Sequence, residues 1–250
     1  MSKHTSGLVS ISFRRYSPRE ILDAMRQTDL SCIEWGSDIH APCRDDAKLH
    51  ELAKLQNEYG VSCCSYGTYF RLCKDDLCEL EYYANAAKIL GTNTLRIWCG
   101  DKRRELCSED EKTELIKTSE RAVCLAQKLD ITLCMECHNN SYTETLDGAL
   151  ELMNIISSPN FLMYWQPNQF ADFETNIKYA KQISPYVKNI HVFNWQGTNK
   201  YPLGEGKDAW IKYLSCFEDA KTLLLEFMPD DRIETLKIEA QALCDIIETI

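Results

Sequence analysis

The chain has 250 residues, 44% of them apolar and 26% charged, and a formal net charge of −10. That length suits one soluble (β/α)8 barrel, and so acidic a chain lacks the basic face that general nucleic-acid or anionic-membrane binding needs. The polar start Met1-Ser2-Lys3-His4-Thr5 has no apolar h-region, and no apolar run approaches the ~18 residues of a spanning helix, so the expectation is no signal peptide, no membrane span and a cytoplasmic location.

In chain order, a first strand is predicted from Leu8 to Phe13. Ser17-Pro18-Arg19-Glu20 then has the pattern of a helix start, with Ser as N-cap, Pro at the first position and Glu at the third. A short strand from Cys32 to Trp35 precedes a loop carrying Asp38 and His40, then a helix that Gly60 ends. The third strand is predicted from Val61 to Tyr66, with Gly67, Tyr69 and Arg71 in its loop, and a helix from Asp76 that Gly91 stops. Thr94 to Trp98 reads as the fourth strand, and Ser108-Glu109-Asp110-Glu111 as a capping box opening a helix to Leu129. The fifth strand, Thr132 to Glu136, is followed by a helix from Thr143. The sixth, Phe161 to Trp165, is followed by one from Asp172. The seventh strand, Val187 to Phe193, leads into a long loop and a helix from Lys207. The eighth, Thr222 to Glu226, leads into a last helix from Arg232 to Thr249.

That makes eight β-then-α units in one domain over residues 1–250, with no linker-like stretch. The strands are nearly continuous apolar runs, as strands covered on both faces should be. A closed parallel barrel fits better than a doubly wound sheet, because polar residues recur at most strand ends rather than at one switch point. The 13 cysteines, odd in number and spread through predicted strands and helices, read as reduced and mostly buried thiols. Cys134 and Cys137 have C-x-x-C spacing, but on a strand residues three apart face opposite sides, which rules out a shared ion or a redox pair there. Gly204-Glu205-Gly206-Lys207 lacks the spacing of a phosphate loop, and no dinucleotide-binding glycine pattern follows the first strand.

All strand C-termini of a parallel barrel open on one face. Collected there are Arg14, Glu34 with His40, Tyr66 with Tyr69, and Arg96; then Glu136 with His138, Gln166 with Asn168, His191, and Glu226. Glu136 and His138, two apart, point to the same side of an extended chain. Oxygen and nitrogen donors from strands 5 to 8 can ring one ion, and such a mixed set suits Mn²⁺, Mg²⁺, Co²⁺ or Zn²⁺ better than a thiolate-loving metal.

These residues resemble the sugar phosphate isomerase/epimerase family, with its xylose isomerase-like TIM barrel. The likeness rests on Ile33-Glu34-Trp35-Gly36, Leu95-Arg96-Ile97-Trp98, Met135-Glu136-Cys137-His138-Asn139, Trp165-Gln166-Pro167-Asn168, His191, Pro202-Leu203-Gly204-Glu205-Gly206 and Leu225-Glu226. The resemblance implies one divalent ion, Mn²⁺ first, held by Glu136, Gln166, His191 and Glu226. It implies Glu136 and Glu226 as the acid/base pair around an enediolate, and a sugar or sugar phosphate as substrate. His40, Tyr69, Arg96, His138, Asn168 and Gln169 are the expected substrate contacts, and Trp35, Trp98, Tyr69 and Trp165 the aromatic walls. A homodimer is the assembly to test. Two positions depart from the family pattern: Gln166 stands where a ligating Asp is usual, and Gln169 where a substrate-binding His is common. The alternatives on the same barrel are an inosose-type dehydratase, a multi-metal apurinic endonuclease, for which five histidines are few, and a metal- or sugar-binding barrel without activity.

Overall fold

A computed structural model of the chain describes residues 4–219 and 221–250. Met1, Ser2 and Lys3, on which the reading of the N-terminus partly rests, lie outside the described residues, as does Ala220. The described residues form a closed barrel of parallel strands: β1 (Thr5–Val9), β2 (Cys32–Gly36), β3 (Ser62–Leu72), β4 (Thr94–Cys99), β5 (Thr132–Glu136), β6 (Phe161–Trp165), β7 (Val187–Val192) and β8 (Thr222–Leu225). Each strand pairs with its neighbours in sequence, and β8 closes on β1 through Thr5–Thr222 to Leu8–Leu225. Helices α1 (Pro18–Met25), α2 (Asp46–Glu58), α3 (Glu79–Leu90), α4 (Glu109–Leu129), α5 (Leu146–Ile156), α6 (Phe173–Ile183), α7 (Lys207–Leu214) and α8 (Leu236–Ile247) follow the strands in turn. No described helix is long and apolar enough to cross a membrane.

Local chemistry accounts for the helix ends. Ser17 and Ser108 each accept a backbone N–H in the first turn, and Glu20 and Glu111 reach back to the cap residue, so both predicted capping boxes form. Gly91 ends α3 in the left-handed conformation at φ 86°.

The strand period of two sorts side chains between two cores. Leu8, Ile33, Trp35, Leu95, Ile97, Leu133, Met135, Trp165, Ile190 and Leu225 face outward into the main core against the helices. Val9, Cys32, Cys134, Tyr164 and Leu224 fill the barrel interior. Cys134 and Cys137 accordingly fall in separate cores, and Cys137 Sγ lies 3.0 Å from the Tyr179 hydroxyl. Above the apolar interior plug lies a polar layer built from the next residue of the same register on several strands: Glu34, Arg96, Glu136 and His191.

Two departures from the predicted elements bear on the site. The first strand stops at Val9, and Ser10–Phe13 forms a buried 3-10 turn. The alternation Ser-Ile-Ser-Phe has the look of a strand, but both hydroxyls serve the strand tips instead. Ser10 Oγ accepts from Gly36 N at 2.9 Å, and Ser12 Oγ from Phe227 N at 2.8 Å. The third strand runs on to Leu72, with a register shift between Gly67 and Arg71. Gly67 is required there by close approach: a Cβ would lie 2.7 Å from Glu34 Oε1 and 2.9 Å from Arg96 Nη2.

Candidate active site

The polar layer is an alternating ring of charge. Arg96, 2% exposed, donates from Nε to Glu34 Oε1 at 2.8 Å and from Nη1 to Glu136 Oε2. Glu34 is fully buried and also accepts from Ser65 Oγ and the Tyr164 hydroxyl, each at 2.7 Å. Asn189 Nδ2 in turn donates to the Tyr164 hydroxyl at 2.6 Å. Trp98 Nε1 donates to the same Glu136 oxygen as Arg96 does. His191, also fully buried, turns Nδ1 toward Glu226 Oε2 at 3.4 Å, Glu136 Oε1 at 3.6 Å and Gln166 Oε1 at 2.9 Å. Its Nε2 lies 3.7 Å from Glu34 Oε1 and has no hydrogen-bond partner.

Burial would push the Glu34 carboxyl up, but Arg96 and then His191 outweigh it and hold the group at about 2. Glu136 is likewise raised by burial and pulled well below the carboxylate range by Arg96, His191 and His138. Burial alone would lower His191, yet Glu226, Glu136 and Glu34 carry it well above the ordinary histidine value.

Glu136, His191 and Glu226 can hold a divalent ion: their candidate ligand atoms lie within 4.8 Å of one another and all three residues are buried. The separations of 3.4 and 3.6 Å from Nδ1 to the two carboxylates are close to the roughly 3–3.5 Å between ligand atoms held at about 2.1 Å from one ion. The unpartnered Nε2–H then faces Glu34, the arrangement in which a second carboxylate orients a ligating imidazole. Gln166 Oε1 is a neutral oxygen donor beside the same nitrogen.

This fit gives a pH prediction. The three carboxylates around His191 favour its protonated form, but it can ligate only as neutral imidazole. Metal binding is therefore expected to release about one proton, and affinity to rise roughly tenfold per pH unit below the raised His191 value. Calorimetry in buffers of different ionisation enthalpy checks this; an enthalpy independent of buffer overturns it.

A cavity of about 270 Å³ opens over the ring, lined by Arg14, Tyr69, Arg96, Trp98, Glu136, His138, Gln166, Gln169 and Glu226, with Phe193, Trp195 and Phe227 as further walls. His138 stacks on Trp98 with centroids 4.6 Å apart, and its Nδ1 lies 2.6 Å from the Asn139 carbonyl oxygen. A carbonyl only accepts, so Nδ1 carries a proton and Nε2 is the nitrogen left out of that bond. Arg14 at the mouth is paired with Asp38 and the Tyr69 hydroxyl.

Two expected substrate contacts do not reach this cavity. His40 is buried behind β2, its ring nitrogens 3.0 Å from Ser10 Oγ and 3.2 Å from the Tyr16 carbonyl oxygen, which leaves neither for a ligand. Asn168 organises the loop after β6: Oδ1 accepts from Phe170 N at 2.9 Å, and its backbone pairs with the Asn176 carboxamide. Trp35 and Trp165 are not walls either, because their odd register turns them outward, Trp35 to Gln56 and Trp165 against Tyr213 and Phe217. Sequence reading missed the buried partnership of Glu34 with Arg96, although a carboxylate inside the apolar run Cys32-Ile33-Glu34-Trp35 was a visible signal. Ser65, Tyr164 and Asn189 left none, since their roles depend on contacts across the barrel.

Residues 22–245 match the profile of the xylose isomerase-like TIM barrel. The chain belongs to this family. Within curated proteins, a 3-dehydroshikimate dehydratase of Bacillus anthracis is 28% identical over 123 residues, 46% of this chain and 42% of that enzyme, so the match spans less than half the length of the relative. Among solved structures, the probable 3-DHS dehydratase AsbF of Bacillus anthracis superposes with a TM-score of 0.80 at 20% identity, covering 96% of this chain and 98% of that one. An L-ribulose 3-epimerase gives 0.76 at 14% identity over 98% and 95%. Barrels of this fold thus include proteins named as a dehydratase and as an epimerase.

Proposed function

We propose that this protein is a divalent-metal-dependent lyase acting on a small polyhydroxylated carbonyl compound, removing a proton beside the carbonyl and expelling the hydroxyl of the next carbon as water. The observation that carries this reading is the contrast between Glu136 and His138. Glu136 has one oxygen saturated by Arg96 and Trp98 and is held well below the ordinary range, which makes it a poor base. His138, on the same cavity wall, offers a free imidazole nitrogen. The similarity to a 3-dehydroshikimate dehydratase supports elimination as the outcome.

A divalent ion held by Glu136, His191 and Glu226, with Gln166 beside it, supplies Lewis-acid stabilisation of the charge that develops on the carbonyl oxygen. The remaining work belongs to side chains. His138 Nε2 takes the proton from the α-carbon, and the C–H electron pair forms the new double bond. The hydroxyl leaves the β-carbon with its bonding pair and receives that proton from His138. Arg96 keeps Glu136 ionised and fixed. Trp98 and Tyr69, in edge contact at 5.2 Å, form an apolar wall against the C–H face of the substrate.

A second reading, isomerase or epimerase, is favoured by one arrangement: Glu136 and Glu226 both line the cavity, where two carboxylates can face one substrate carbon. Incubating Mn²⁺-loaded enzyme in D₂O with 3-dehydroshikimate, inososes and ketoses, followed by NMR, separates the readings. An unsaturated product with loss of water supports the lyase; a deuterated diastereomer with its hydroxyl count unchanged overturns it. Absence of both exchange and product across the panel rejects either activity on these substrates.

A further inference from the structure

A second cavity adjoins the first, between the loop after β6, the loop after β7 and helix α7. Its volume is about 340 Å³, room for one ring at the small end of ligand pockets. Gln169, Phe193 and Trp195 line both cavities, so these side chains form a shared wall. The composition of the side cavity is unlike that of the chain. Five of its lining residues are aromatic, among them Phe173, Trp195 and Tyr213, five carry carboxamides, and none is charged, in a chain 26% charged. The catalytic cavity beside it carries Arg14, Arg96, Glu136 and Glu226.

Aromatic faces without charge select a neutral ligand with C–H faces; Asn168, Asn176 and Asn194 are bonded to the surrounding loops, which leaves Gln169 and Gln196 as the carboxamides that can donate to or accept from its hydroxyls. An anionic group, phosphate or carboxylate, would find no cation there. Trp195, partly exposed, stands between the two cavities. The residue is held on the shared wall by a short hairpin, Trp195-Gln196 against Asn199-Lys200, and by ring contacts to Phe193 at 5.6 Å and Phe227 at 5.2 Å. The hairpin is tied to the opposite loop by Gly197 N donating to the Gln169 carbonyl at 2.8 Å. Trp195 is therefore part of a fixed wall between the two cavities.

We propose that the side cavity is a second subsite for a neutral glycosyl ring, so that the substrate is a carbonyl-bearing glycoside: one unit over the Glu136–His191–Glu226 cluster, the next beyond Trp195. This rests on the reading of the cluster as the place where the carbonyl unit binds. The test measures binding rather than turnover. Mn²⁺-loaded protein is titrated with methyl glucoside, glucose, cellobiose, maltose, gentiobiose and trehalose, by calorimetry and saturation-transfer NMR. At least one disaccharide is expected to bind tenfold or more tightly than the monosaccharides. Ala209→Phe, which fills the side cavity from α7, is expected to abolish that gain and leave monosaccharide binding unchanged. Ala171→Phe, on the loop after β6, does the same from the other side if the first variant fails to fold. The proposal is overturned if no disaccharide exceeds the monosaccharides, or if the gain survives in both variants. A disaccharide gain without solvent exchange into any carbonyl substrate would instead reject the enolising chemistry and keep the subsite.

Discussion

Arg96→Met is expected to lower the unfolding midpoint by about 10 °C, a loss of roughly 3–5 kcal/mol at about 2–4 °C per kcal/mol for a chain of this size. The guanidinium sits between Glu34 and Glu136, all three essentially excluded from solvent. Removing it leaves two buried carboxylates with His191 as the remaining cation of the ring. The pH dependence follows from the Glu34 value. A carboxyl held at about 2 in the folded chain contributes stability above its unfolded value near 4.5, and that contribution is lost as pH falls through 2. Without Arg96 the contribution disappears, so the gap between wild type and variant should narrow as pH drops from 4.5 toward 2. Adding Glu34→Gln should recover part of the loss at neutral pH. Thermal melts across pH decide it: a variant as stable as wild type at pH 7 would show that the Arg96 pairs are not what keeps this layer together.

The same layer shows which features a sequence can reveal. The interior register of β5 and β7 was legible, because an apolar strand with a charged tip declares its side-chain period locally, whereas in β6 Trp165 was expected at the site and faces the helices. Glu136 and His191 stand where that period places them, in the barrel interior. Cap chemistry was legible for the same reason, since Ser17 with Glu20 and Ser108 with Glu111 involve four consecutive residues. What failed was long-range. Ser10 and Ser12 leave the strand pattern to serve backbone N–H groups 26 and 215 residues away. His40 and Asn168 were grouped with the strand tips by their types, but a hydroxyl and a carbonyl take both ring nitrogens of His40, and a backbone amide takes the side-chain oxygen of Asn168. Glu34 and Trp98 changed meaning most: each was visible in sequence, yet only the barrel's closure brings Glu34 against Arg96 and Tyr164, and Trp98 against Glu136.

His138→Asn is expected to reduce turnover by about 10²–10⁴-fold, the usual contribution of a positioned acid–base group, with metal affinity little changed. Its ring lines the cavity, stacks on Trp98 and is not among the atoms that converge on the cluster, so asparagine removes the lone pair without removing a ligand. Glu136→Gln should behave in the opposite way. It takes a negative ligand from the cluster and a partner from Arg96, so the metal concentration needed for activity should rise, while turnover at saturating metal falls less than in His138→Asn. Under a two-carboxylate exchange the order inverts: Glu136→Gln and Glu226→Gln each abolish proton exchange even at saturating metal, and His138→Asn retains it. Single-turnover rates in D₂O over a metal titration of the three variants separate the schemes, because loss of a base lowers the plateau whereas loss of a ligand shifts the midpoint. A plateau that falls equally in all three would mean the proton passes between groups acting as one unit, in which neither carboxylate nor imidazole can be assigned alone.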